Sequence, residues 1–150
     1  MSGTVVVAGG LLVCTVLLGL VAHECTHALV LGLARVEYTV TFAPERTDGI
    51  IGLVTSCPWA VVQPHPTGRE SATVLRIAAL APLVLAIPVF GLGVSGHLSV
   101  ESPLATAVGI GWLACAIPSP QDFSVAFYAH RALEAVPTNS NTATPVSRAD

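Results

Sequence analysis

Lysine is absent from this chain, and charge of either sign is scarce: all six basic residues are arginine, and charged residues make up 10% of the 150 positions. A soluble domain of this size carries about 25%. Aromatic residues reach only 5%, against 53% hydrophobic residues overall and a mean hydropathy of +0.74. So little polar surface cannot coat a water-soluble globule, and the outer surface is expected to face lipid. The six arginines never cluster, which leaves no electrostatic footprint for nucleic acid. Cysteine numbers four, Cys14, Cys25, Cys57 and Cys115, with no CxxC pair. Three lie in apolar stretches where a thiol behaves as a small hydrophobe, so packing is their expected role. No Lys or Arg occurs in residues 1–20, and a cleaved signal peptide needs a basic opening. Val13 before Cys14 also departs from the small residue of a lipoprotein signal, so the first apolar segment is expected to be retained. The chain shows no internal repeat.

Three apolar blocks remain once the polar connections are set aside. The first runs from about Val5 to Leu33, interrupted only by His23, Glu24, Thr26 and His27, and exceeds the roughly 20 residues a spanning helix needs. It must tilt or protrude. The second covers about 74–96 and contains Pro82, Pro88, Gly91 and Gly93, which spanning helices tolerate where neighbours repair the backbone. The third covers about 104–131 and is broken at Pro118-Ser119-Pro120, where two prolines each remove a donor. The expected fold is therefore an all-α membrane protein of three spans, with residues 1–133 forming one membrane-embedded domain. The polar, aperiodic stretch 134–150 reads as a disordered tail.

Between the first two spans Val36, Tyr38, Val40 and Phe42 alternate with Glu37, Thr39 and Thr41, which is strand periodicity. A Thr47-Asp48-Gly49 turn signal then leads into Ile50-Ile51-Gly52-Leu53-Val54, so a surface β-hairpin is expected there, with a re-entrant loop as the alternative. Arg35, Arg46, Arg69 and Arg76 flank this connection, whereas the second connection, around His97 to Ser102, has none. By the positive-inside rule the first connection is cytoplasmic. Arg131 and Arg148 put the C-terminus on the same side and the N-terminus outside, as three spans require.

The chemistry concentrates in the first span, where His23-Glu24-Cys25-Thr26-His27 forms an HExxH sequence. Histidines four apart project from one face of a helix and can grip one metal ion. Neutral imidazole suits Zn²⁺, and Glu24 falls where it could take a proton from a bound water. An ionisable group at mid-span costs about 2.5 to 3.5 kcal/mol on insertion scales, so three within five positions point to a functional role, with an interhelical hydrogen-bond cluster or a helix end projecting into the cytosol as the alternative. A catalytic zinc needs a third protein ligand, and Asp122 fits. His27 lies eight residues before Arg35, and Asp122 nine before Arg131, so both sit about 12 to 14 Å from the same ends of their spans. Ser119-Pro120-Gln121-Asp122 also reads as a capping box, with Ser119 as N-cap, Pro120 at the first helical position and Asp122 at the third. His65, His97 and His130 read as surface or interfacial side chains, Cys25 as a non-ligand, and Glu101 and Glu134 as lying beyond the span ends.

These two motifs, in this order and with a span between them, resemble the site-2 protease-like intramembrane zinc metalloproteases, especially their minimal relatives. The resemblance implies His23, His27 and Asp122 as ligands of one Zn²⁺ per chain, Glu24 as general base, and a peptide or membrane-protein substrate. It also has departures. Ser119 stands where the family often has Asn, Phe123 follows Asp122 where Gly is common, and Ala81-Pro82 only loosely matches a Gly-Pro-x-x-Asn element. Both asparagines, Asn139 and Asn141, are in the tail, which leaves Gln121 and Ser119 as alternative donors to a reacting carbonyl. Two other readings use the same ligands: a membrane metal-binding or transport protein, and a non-catalytic scaffold derived from such a protease.

Overall fold

A computed structural model describes residues 2–42, 60–66, 70–99 and 101–134. Helix α1 (Ser2–Leu33) is followed by strands β1 (Tyr38–Phe42) and β2 (Ala60–Pro64). Next come helix α2 (Ala72–Leu80), a 3₁₀ segment (Ala81–Leu85) and helix α3 (Ala86–Val94), which follow one another without a break. Helices α4 (Pro103–Ala116) and α5 (Pro120–Glu134) complete the described elements. Three helical stretches are long and apolar enough to cross a membrane: Gly3–Leu33, Ala72–Val94 and Pro103–Arg131. Their large apolar side chains face outward, with Val6 74% exposed, Leu29 62% and Phe127 68%, which is the surface a bilayer accepts and water does not.

Local chemistry accounts for most of the boundaries. Ser71 accepts a hydrogen bond from the Thr73 N–H at 3.2 Å and starts α2. Ser102 accepts from Ala105 N–H at 3.4 Å, and Pro103 occupies the first position of α4, where its missing donor costs nothing. Helix α4 ends at Ala116 because Pro118 and Pro120 cannot donate to it, so the expected break in the third span is present. Pro82 has the same effect in the second span, tightening the chain into the 3₁₀ segment. There the Trp112 indole N–H of α4 donates to the Leu85 carbonyl at 2.8 Å.

The end of α1 is a Schellman closure. Val36 N–H bonds the Leu31 carbonyl at 3.0 Å, and Arg35 N–H bonds that of Gly32 at 3.1 Å. Arg35 holds φ 57°, the left-handed region that favours glycine. Val36 and Leu31 then bury themselves together with Leu75, Ala78 and Ala129, joining α1, α2 and α5 in one core cluster. Arg35→Gly removes the steric cost at this position and is expected to stabilise the fold by about 1 kcal/mol. A thermal midpoint below that of the wild type would contradict this account of the closure.

Helices α1 and α4 approach closely because glycine faces each of them. A Cβ on Gly19 would stand 2.7 Å from Cys115 Sγ and 2.8 Å from Cys115 Cβ, and one on Gly111 would meet Leu12 and Thr15 at 3.2 Å. Small residues at such a contact let dispersion and main-chain interactions hold helices together where lipid offers no hydrophobic contrast. Gly19→Val is expected to cost about 1 to 3 kcal/mol by overpacking. The unfolding midpoint in detergent measures it, and an unchanged midpoint would remove the contact from the account.

A two-stranded antiparallel sheet lies between the first and second spans, as the alternation predicted, with β1 pairing β2 in the register Val40↔Val62. The expected partner, Ile50 to Val54 with its Thr47-Asp48-Gly49 turn, lies outside the described residues, and the strand that pairs with β1 is Ala60–Pro64. Residues 135–150, Arg46, Arg69 and Cys57 also lie outside them. Of the other cysteines, Cys115 is buried at the α1–α4 contact, as packing requires. Cys14 and Cys25 are exposed on the surface of α1 instead, because their positions face away from its helical neighbours.

Candidate metal centre

His23 and His27 are both 7% exposed, one turn apart on the face of α1 that meets α2 and α4. Each ring is held by a backbone carbonyl. His23 Nδ1 lies 2.7 Å from the Cys115 carbonyl oxygen of α4, and His27 Nδ1 lies 2.7 Å from that of Ala78 in α2. A carbonyl can only accept, so Nδ1 carries the proton in both rings, and in a neutral imidazole so held Nε2 is the lone pair.

The two Nε2 atoms face each other at 3.2 Å. Asp122 faces both, with Oδ2 3.5 Å from His23 Nε2 and Oδ1 3.3 Å from His27 Nε2. With both imidazoles neutral, four acceptor atoms converge with no donor among them, an arrangement that a bound cation or a proton on one Nε2 resolves. The spacing suits a metal ion, since ligands held at about 2.0 to 2.1 Å in a tetrahedral shell stand roughly 3.3 Å from one another. Among the described residues, His23, His27 and Asp122 form the group that could hold such an ion.

The capping box and the carboxylate cluster are the same structure. Asp122 N–H donates to Ser119 Oγ at 3.2 Å, and Ser119 N–H donates to Asp122 Oδ2 at 2.6 Å, which is the reciprocal box of a helix start. The cap aims the carboxylate as well as closing the helix, because it immobilises the first turn of α5 with Oδ1 and Oδ2 toward α1. The cap and the approach to both histidines thus coincide in one side chain.

Glu24 is half-buried and lines the same cavity of about 520 Å³ as the two histidines and Asp122. Its Oε2 accepts the Val62 N–H of β2 at 3.1 Å. The pairing explains why that N–H is available. His65 N–H bonds the Glu37 carbonyl at 2.7 Å, so Glu37 and His65 form a hydrogen-bonded pair, and every second pair along the ladder, including Val40 with Val62, is of the non-bonded kind. Val62 therefore turns its N–H away from β1 and toward α1. The outer edge of β2 faces the cavity.

Among the described residues, the other three histidines stay apart from this cluster. His65 bonds Thr39, His97 bonds Ser95, and both are exposed, as is His130. Gln121 and Ser119 both line the cavity, with Ser119 engaged in the cap and Gln121 exposed. Sequence reading missed the backbone partners, namely the Ala78 and Cys115 carbonyls and the Val62 N–H. The signal available was the position of Pro82 and Pro118, which remove donors close to both carbonyls. Set against models of protein families, curated proteins and solved structures, the chain matches none.

Proposed function

We propose that this chain is an intramembrane zinc-dependent endopeptidase of the site-2 protease-like type. The observation that carries the reading is the convergence of His23, His27 and Asp122 on one point, with a fourth group, Glu24, on the same cavity but tied elsewhere. Two imidazoles and one carboxylate match the donor preference of Zn²⁺, and three protein ligands leave a fourth position for water or substrate. When bound, the ion supplies Lewis acidity toward a carbonyl oxygen and brings the pKa of a water to about 7.

The chain's own residues supply the rest. Glu24 accepts a proton from the attacking water and returns it to the departing amine. Ser119 and the α5 cap hold the Asp122 carboxylate in place. The outer edge of β2 receives the substrate as an added strand, since an extended peptide pairs with a free sheet edge through its main chain and a helical substrate must unwind before it can be cut. Substrate then competes with Glu24 for the Val62 N–H, so docking frees the base beside the bond to be cleaved. In this reading, which follows the arginine count, the first connection and the C-terminus are cytoplasmic, the N-terminus is outside and water enters from the cytoplasmic side.

Metal content tests the reading most directly. Wild-type protein purified in detergent from zinc-replete cells is expected to keep about one zinc per chain through washing, as tight structural and catalytic sites do. A chain that holds none would refute it.

A further inference from the structure

We propose that Pro82 is a positioning residue for the metal-binding histidine His27, clearing a helical donor from the Ala78 carbonyl that fixes this imidazole's tautomer; the inference rests on the metal-binding reading above. A carbonyl oxygen has two lone pairs. At Ala78 one accepts the Ala81 N–H, the three-residue bond of the tightened turn, and the other accepts His27 Nδ1–H at 2.7 Å. In a continuous α-helix the donor four residues on would compete for that second lone pair. Here that residue is Pro82, which has no N–H and is among the most deeply buried side chains of the bundle.

The other ring is held by a different route: the donor that an α-helix would direct at the Cys115 carbonyl is the Ser119 N–H, which goes to Asp122 Oδ2 instead. Cys115 is thus reached by His23 Nδ1 at 2.7 Å from the facing helix. Two interruptions in two different spans each stand beside a carbonyl that locks one histidine with its lone pair toward Asp122. Fixing the outer nitrogen of a metal-binding histidine is what holds the inner one in the ligating form.

Pro82→Ala tests this in the full-length chain in detergent micelles, with Pro88→Ala as the control, since Pro88 is exposed on α3 and remote from the cavity lining. Three readouts are taken: zinc affinity by competition with a chromophoric chelator, the ¹⁵N histidine spectrum of the metal-free protein in alkaline buffer, and the thermal midpoint. P82A is expected to bind zinc about ten- to a hundredfold more weakly. The His27 proton should redistribute from Nδ1 to Nε2. The midpoint should hold or rise, because alanine is the best helix former and proline the worst. P88A should leave affinity and tautomer at wild-type values. Unchanged zinc affinity and tautomer in P82A would overturn the proposal. So would equal losses in both variants, or a P82A chain without its helical content, because either shows that the proline serves the fold alone. If the wild type binds no zinc, the functional reading fails and the tautomer decides this one: a proton on Nδ1 of His27 in wild type that moves in P82A upholds it, and the same tautomer in both sinks it.

Discussion

Glu24→Gln is expected to keep zinc at the wild-type level and to lower peptide hydrolysis by at least about a hundredfold, the lower end of what a positioned general base contributes. The substitution is conservative in the respect that matters for structure. The Gln carbonyl can still accept the Val62 N–H that Glu24 Oε2 accepts now, so the sheet stays docked on α1. Glu24 lies outside the group of side chains that converge for a metal ion, so metal content should not follow the change. What disappears is the ability to take a proton and give it back. Metal analysis and cleavage of a membrane-spanning peptide, measured on the same preparation, separate the three readings of the site. A protease loses cleavage and keeps zinc; a transporter or a scaffold shows no cleavage that depends on Glu24 in either form. Equal cleavage by wild type and E24Q would remove Glu24 from the chemistry.

Asp122 has two tasks, and two substitutions divide them. Asp122→Ala removes the carboxylate and the cap together. Zinc affinity should fall by more than about a hundredfold, beyond the loss from disturbing an outer-shell partner, and the Ser119 N–H is left without its acceptor. The capping loss alone is worth about 1 kcal/mol. Asp122→Asn keeps an oxygen for that N–H and replaces the other, Oδ1, by an amide donor aimed at His27 Nε2. It should also lose zinc, but its metal-free form in alkaline buffer should be more stable than metal-free wild type by about 1 kcal/mol, because a donor now enters a cluster of acceptors. Thermal midpoints of the three metal-free proteins check the order Asn above Asp above Ala. A wild type already as stable as D122N without metal would mean that the acceptors are satisfied by some other route, and the argument from convergent lone pairs would lose its force.

On the proposed reading, the Val62 contact with Glu24 gives the sheet a role beyond covering the site. Because β2 turns the Val62 N–H toward α1, strand addition and release of the base would be one event on that reading, tying substrate docking to readiness for proton transfer. The α1–α4 contact at Gly19 reaches the same site from another side. It sets the depth of Cys115, whose carbonyl holds His23, so overpacking at Gly19 should weaken metal binding as well as stability.

Much of this architecture is legible along the chain. The three apolar stretches, the HExxH spacing and the break at Pro118 and Pro120 are local properties, set by run length, by helical period and by a missing N–H, and the described helices follow them. Strand periodicity at Tyr38–Phe42 was equally local. Its partner was not: Ala60–Pro64 is short, lacks alternation and ends in proline, so nothing in its own residues marks it as the strand that pairs. The capping box at Ser119 was visible too, but whether its carboxylate also faced the histidines depended on how α5 packs against α1.

Sequence by itself determined the apolar helices, the placing of polar groups within them and the residue types available for metal binding, because each of these depends on side-chain chemistry repeated over a few turns. Only the tertiary structure decided that the Ala78 and Cys115 carbonyls grip the two imidazoles and that the Val62 N–H meets Glu24. Every residue but proline carries the same main-chain donor and acceptor, so which of them reach the site is set by helix packing and strand register, to which the identity of the residue bearing them gives no clue.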